Sequence, residues 1–171
     1  MRLRKALVET KMSTLKRALE IAKEVHQGVF DKAGAPYINH PMRVMESLAT
    51  VEEKIVGVLH DVVEDGAEWT FDRIRREGFS EAIVEALDSV TKRPEDEDQS
   101  GDDQATKVAR YIRFVSRAAR HPIGRRVKLA DLRDNLDLSR ITNPTDKDRA
   151  RMAKYEIALR FLELQRDSGL V

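Results

Sequence analysis

The chain has 171 residues, enough for one well-buried core and short for two. Lys and Arg total 31 against 30 Asp and Glu, which excludes the basic excess of a dedicated nucleic-acid binder, and the lack of Cys excludes disulfides, thiolate zinc sites and cysteine nucleophiles. No apolar run approaches the roughly 18 residues of a membrane span, and the charged start, MRLRKALVETKMSTLKRALE, lacks the apolar stretch of a secretory signal, so no membrane association and a cytoplasmic location are expected.

The apolar periodicity is helical almost throughout. From Ser13, Leu15, Ala18, Leu19, Ala22 and Val25 recur at i, i+3, i+4 spacing, with Gly28 as a stop. GVFDKAGAPYINHP reads as a loop, and Pro41 places the next helix start after Asn39 or His40. Thr50 to Glu53 has capping-box form and opens a third helix through KIVGVLHDVVED, ending near Gly66. Short helices follow over Thr70–Glu77 and from Ser80 to about Val90. RPEDEDQSGDDQ carries six acids and nothing apolar, so residues 94–104 are expected to form a solvated, mobile loop. Helices are then predicted over about 105–120, up to the His121-Pro122 break, and over about Gly124–Leu138. After the Asn143-Pro144-Thr145 turn, a last one runs over about Asp146–Arg166. No alternating strand and no internal repeat is evident. The expected architecture is all-α: a single domain over residues 1–171, with about seven or eight helices.

Three segments carry candidate chemistry. The helix Ile55–Leu59 is apolar enough to be buried, yet it runs directly into His60, Asp61, Glu64 and Asp65. On one continuous helix, His60 and Glu64 share a face, as do Asp61 and Asp65. Burial of such groups needs compensation, and a divalent cation would supply it. Read alone, the same acids fit a solvated helix end equally well. In VKLADLRDN, Lys128, Asp131 and Asn135 fall within a sector of about 60°, flanked by Leu129, Leu132 and Leu136. Such a strip suits the wall of a buried site, or simply the edge of an amphipathic helix. In YINHP, His40 stands at a helix start, where it could also serve only as a cap. The loop before it carries Lys32 among small residues that would let a polyanion approach the backbone. Together these segments offer His40, His60, Asp61 and Asp131 to a metal that accepts nitrogen and oxygen donors. Such a set suits Mn2+, Fe2+ or Zn2+ better than Ca2+. Glu64 and Asp65 lie one turn further on, placed to handle protons.

This combination resembles the HD superfamily of metal-dependent phosphohydrolases. More narrowly, it is similar to the hydrolase domain of the RelA/SpoT alarmone enzymes and their small stand-alone relatives. The matching stretches are HQG, KAGAPYINHP, LHDVVED, SVTK and VKLADLRDN, in that order over residues 26 to 135. The resemblance implies an HD-type bundle with metal ligands at His40, His60, Asp61 and Asp131 and a catalytic acid pair at Glu64 and Asp65. It places nucleotide contacts at Asn135 and Lys32, and a structural role in the loop at His26. Lys128 joins Lys32 as a cationic candidate for the distal phosphate or for tuning the site. The implied reaction is release of pyrophosphate from the 3′ position of a guanosine tetraphosphate-type alarmone. The alternatives are hydrolysis of another nucleotide and a non-enzymatic, metal-dependent nucleotide-binding module. A third reading is a helical interaction protein whose acidic loop binds a basic partner. The expected partner is a small-molecule nucleotide; self-association into a homo-oligomer stays open, and the family's synthetase domain is not expected. Asp31 stands where the family has Arg, and Leu132 and Asp134 stand where it has Arg and His. The metal set is thus intact while the substrate-contacting positions are altered.

Overall fold

Every segment with helical apolar spacing is helical in the computed structural model, which describes residues 14–137 and 143–167. The order is α1 (Leu15–Val25), α2 (Asn39–Glu46), α3 (Val51–Leu59), α4 (Val62–Asp65), α5 (Phe71–Arg76), α6 (Glu81–Val90), α7 (Gln104–Ala119), α8 (Pro122–Asn135) and α9 (Asp146–Asp167). A 3-10 turn at Pro94–Asp96 precedes α7. The described residues contain no strand, only an isolated bridge between Phe30 and Pro36. Ser13 and Leu138 lie outside the described residues. The fold is all-α, as expected.

Local chemistry sets the helix starts. The Thr14, Thr50 and Thr70 hydroxyls each accept from the backbone N–H three residues on, and Glu53 closes the capping box on Thr50. One prediction fails: the helix expected over residues 54–65 is two helices. The His60 imidazole takes the Gly57 carbonyl through Nδ1 at 2.8 Å. That carbonyl is the acceptor a continuing helix would give to the N–H of Asp61. The chain turns at His60 and Asp61, and α4 starts afresh at Val62.

Two apolar clusters hold the bundle. Ile21, Val56, Leu59, Leu87 and Val127 centre the first, and Phe114, Leu132 and Leu162 the second. Helix α8 contributes Val127 to one and Leu132 to the other, so it joins them. Helix α2 packs directly across α3 at Gly57, where an added Cβ would lie 2.5 Å from Leu48 Cδ1 and 3.4 Å from Met45 Cα. The missing side chain lets the two helices approach, and this brings His40 beside His60.

The acidic segment 94–104, expected to be solvated and mobile, is tied down by arginines of α7. Asp96 is 5% exposed and accepts from Arg117 Nη2 at 2.7 Å and from the Arg93 N–H at 3.0 Å. Arg110 forks onto Asp102, and Arg113 donates to the Glu95 carbonyl. Arg110, Arg113 and Arg117 fall at i, i+3, i+7, one face of the helix. Asp96→Ala removes a charge-assisted pair and is expected to cost about 2 kcal/mol, or about 5 °C in Tm. A thermal melt within a degree of wild type would show that the pair contributes nothing.

Candidate metal centre

Helix α3 delivers His60 to the end of a wholly apolar run, so its imidazole is buried at 3% exposure. Its Nδ1 is used by the Gly57 carbonyl, which turns Nε2 toward Asp61 and Asp131. That Nε2 is 3.1 Å from Asp61 Oδ2 and 3.7 Å from Asp131 Oδ1. From α2, His40 Nε2 lies 3.2 Å from Asp131 Oδ1 and 3.8 Å from Asp61 Oδ2. The ligand atoms of His40, His60 and Asp131 all lie within 4.8 Å of one another. Three of the four sequence-predicted ligands thus form one group that could hold a metal ion, and Asp61 stands beside it through its contacts with the two imidazoles. His60 Nε2 is buried and has no hydrogen-bond partner, so the donor set is poised for something other than its own neighbours.

Each carboxylate is held from outside the cluster. The Tyr37 hydroxyl donates to Asp61 Oδ2 at 2.6 Å. Lys128 Nζ donates to Asp131 Oδ2 at 2.7 Å, and Asn135 Nδ2 donates to Asp131 Oδ1 at 2.5 Å. Burial opposes ionisation of Asp131, yet the Lys128 ammonium and then His40 hold it well below the usual carboxylate range. Asp61 is likewise kept low by His60 against its burial. Burial pulls His40 down, but hydrogen bonds with Asp131 and Asp134 carry it up to about 10. His60 is also raised, because the Asp61 charge outweighs the burial.

The predicted acid pair divides. Glu64 lines a small cavity of about 110 Å³ together with His40, Asp61, Asp131 and Lys92. Its Oε1 accepts from the Lys92 N–H at 2.7 Å, and burial raises its pKa against the Lys92 charge. Asp65 does not line that cavity. It points toward His26 (Oδ2 to Nδ1 3.7 Å), and burial, then Asp61 and Glu64, push it up to about 6. His26 is buried, with its ring 5.0 Å from that of Tyr37 between centroids and neither ring nitrogen hydrogen-bonded.

The expected substrate contacts are only partly free. Lys128 is buried, its ammonium spent on Asp131 and lying 4.6 Å from the Phe114 ring centroid, which places it behind a ligand rather than on a phosphate. Lys32 reaches Asp148 at 2.9 Å and lines the mouth of the site. Asp31 uses Oδ1 to accept from the Ala33 and Ala35 N–H groups, so it shapes its own loop, whose tip is Gly34 at φ +80°. Leu132 is 0% exposed in the second core, so the change at that position is one of packing, not of substrate contact. A pocket of about 330 Å³ opens beside His40 between Phe30, Asp31, Tyr37 and Asn135. Next to it, Lys32, Lys107, Lys147, Arg151 and Lys154 line a further cavity of about 240 Å³ together with Asp98, which pairs with Lys154 at 3.2 Å, while Asp148 pairs with Lys32 and Arg151.

Residues 18–155 match the model of the family described as HD domain. The chain belongs to the HD domain family. Among curated relatives of this HD domain, a GTP pyrophosphokinase of Streptomyces coelicolor is 30% identical over 147 residues, 84% of this chain and 17% of the relative. A guanosine-3′,5′-bis(diphosphate) 3′-pyrophosphohydrolase of Aquifex aeolicus is 34% identical over 71% of this chain and 17% of its own length. One of the same name from Borreliella burgdorferi is 39% identical over 49% of this chain and 13% of its own length. The chain thus spans less than a fifth of the relatives it matches. No helix among the described residues is long and apolar enough to cross a membrane. Sequence reasoning missed Tyr37, Lys92, Arg151 and Phe30 in this HD domain. Tyr37 was visible inside YINHP, three residues before a ligand, but Arg151 reaches the site from α9 and left no local signal.

Proposed function

We propose that this HD domain is a divalent-metal phosphohydrolase that removes pyrophosphate from the 3′ position of a guanosine tetraphosphate-type alarmone, with Mn2+ as its cation. One observation carries the reading: two imidazole Nε2 atoms and two carboxylates converge, with Glu64 on the same cavity. Such a nitrogen and oxygen set suits Mn2+, Fe2+ or Zn2+ better than Ca2+. An orphaned buried imidazole nitrogen costs about 1–3 kcal/mol unless something occupies it. When bound, the ion supplies a water acidic enough to lose its proton near neutral pH and a positive charge against the phosphoryl oxygens. Tyr37, Lys128 and Asn135 fix the two carboxylates that hold it. Glu64 accepts the proton of the attacking water. The water oxygen bonds to phosphorus, the P–O bond to the ribose 3′-oxygen breaks, and the proton passes to that oxygen. Asp65, pushed up to about 6 by burial and by the charges of Asp61 and Glu64, lies outside the cavity against His26.

The substrate side fits a nucleotide with phosphate at two ends. One end meets the metal centre; the other meets the cavity of Lys107, Lys147, Arg151 and Lys154. In that cavity Lys107 and Lys147 add positive charge beyond the pairs that Lys154 makes with Asp98 and Arg151 with Asp148. The names of the relatives from Aquifex aeolicus and Borreliella burgdorferi describe such a bis-diphosphate. The base then occupies the pocket beside Phe30, which is 64% exposed on its rim. Hydrolysis of another nucleotide is the second reading, favoured by the Asp31 carboxylate on that pocket. A nucleotide panel with Mn2+, Mg2+, Fe2+ and Zn2+ tests both. Release of pyrophosphate from the alarmone is the expected result; none, beside rapid turnover of another nucleotide, selects the second reading. Phe30→Ala is expected to raise KM by about tenfold, as loss of one stacked base does, and to leave kcat nearly unchanged. An unchanged KM would place the base elsewhere.

A further inference from the structure

We propose that Asp134, clamped by Arg43, is a positioning residue that fixes the tautomer of His40 and so directs the lone pair of Nε2 into the metal centre; the inference rests on the metal-centre reading above. Asp134 Oδ2 is 2.7 Å from His40 Nδ1. Arg43, on the same helix as His40, donates to both oxygens of that carboxylate, through Nε at 2.6 Å and Nη2 at 3.0 Å. An ionised carboxylate only accepts, so Nδ1 must be the protonated nitrogen. Nε2, across the ring, is then the nitrogen that faces Asp131 and Asp61 and gives up its proton when a cation binds.

The two histidines reach the same tautomer by different means. For His60 the acceptor is the Gly57 carbonyl, part of the backbone of α3. For His40 it is a side chain, and it stands where the resembling enzymes carry His. A neutral imidazole there would provide neither the negative charge nor two oxygens for Arg43. The change at residue 134 therefore reaches the metal centre as well as the wall of the pocket beside Phe30. Outer partners of this kind set the orientation and basicity of metal-bound imidazoles.

Asparagine at this position separates positioning from simple packing. Its one oxygen is claimed by the Arg43 guanidinium, which turns the amide NH2 toward His40 Nδ1. That forces Nδ1 to accept and puts the proton on Nε2, the wrong tautomer. Asp134→Ala leaves the ring free to find water. The test is Mn2+ titration of the metal-stripped protein by calorimetry, with melting of the metal-free forms alongside. Asp134→Ala is expected to weaken binding about tenfold and Asp134→Asn about 100-fold. The metal-free melts should show both variants folded, each below wild type by the lost His40 and Arg43 contacts. In the Zn2+-loaded wild type, nitrogen NMR should show the His40 proton on Nδ1. Asn binding as well as wild type, or better than Ala, overturns the proposal, as does a proton on Nε2. His60→Ala is the control: if it binds Mn2+ as wild type does, the metal-centre reading itself fails.

Discussion

Glu64→Gln combined with Asp65→Asn is expected to lower kcat by about 10² or more while metal content and melting temperature stay at wild-type levels. Both substitutions keep size and leave one oxygen to accept, which suffices for the Lys92 N–H at residue 64. The two residues are not equivalent. Glu64 lines the cavity with Asp61 and Asp131, and its Oε1 is pinned by the Lys92 N–H. Asp65 lies outside it, against His26. Glu64→Gln alone should therefore account for most of the loss, and Asp65→Asn alone for a smaller part. Single-turnover assays of all three variants at saturating Mn2+ check this. Wild-type turnover by the double variant would reduce both acids to a helix end.

The helices were legible because their apolar positions repeat at helical spacing and because Thr and Gly stand at their ends. The candidate ligand set stood out for a different reason: imidazoles and carboxylates interrupting an apolar helix need an explanation, and Asp131 lay on a polar strip beside a leucine stripe. What failed depended on partners distant in sequence. The break at His60 turns on one imidazole taking one carbonyl, which no apolar periodicity records. Lys128 has the residue type of a phosphate ligand, but its position at i−3 from Asp131 inside the core makes it a carboxylate partner. The acidic segment looked solvated because its counter-charges, Arg110, Arg113 and Arg117, lie on one face of the next helix. Leu132 and Asp134 looked like two equal departures. The helix turns one into the core and the other onto His40, so they differ wholly in consequence.

His60→Ala is expected to abolish stoichiometric Mn2+ binding, read by elemental analysis after gel filtration. It is the cleanest of the ligand substitutions. Asp131→Asn also removes a ligand, but it leaves the buried Lys128 ammonium without its carboxylate. Truncating one member of a buried ion pair costs about 3–5 kcal/mol, so that variant should lose stability as well as metal. Retention of full metal by His60→Ala would sink the assignment. The same centre fixes a pH dependence. The metal needs neutral imidazoles, and the carboxylates hold His40 up to about 10, so binding must displace protons. Mn2+ affinity should therefore rise with pH, by about tenfold per unit for each proton released. Stability of the metal-free protein should run the other way over that range. The raised His40 stabilises the fold fully below its unfolded value of 6.5 and loses that contribution as pH climbs toward about 10. The depressed Asp131 contributes above its unfolded value of 3.8 and loses it as pH falls further. These groups thus favour the metal-free fold most between about pH 4 and 6.5. Saturating Mn2+ should move that optimum upward, because the cation takes over the charge the protons supplied. Melting curves from pH 4 to 9, with and without Mn2+, test the sign: a metal-induced rise in Tm that grew toward acid pH would contradict coordination by His40 and His60.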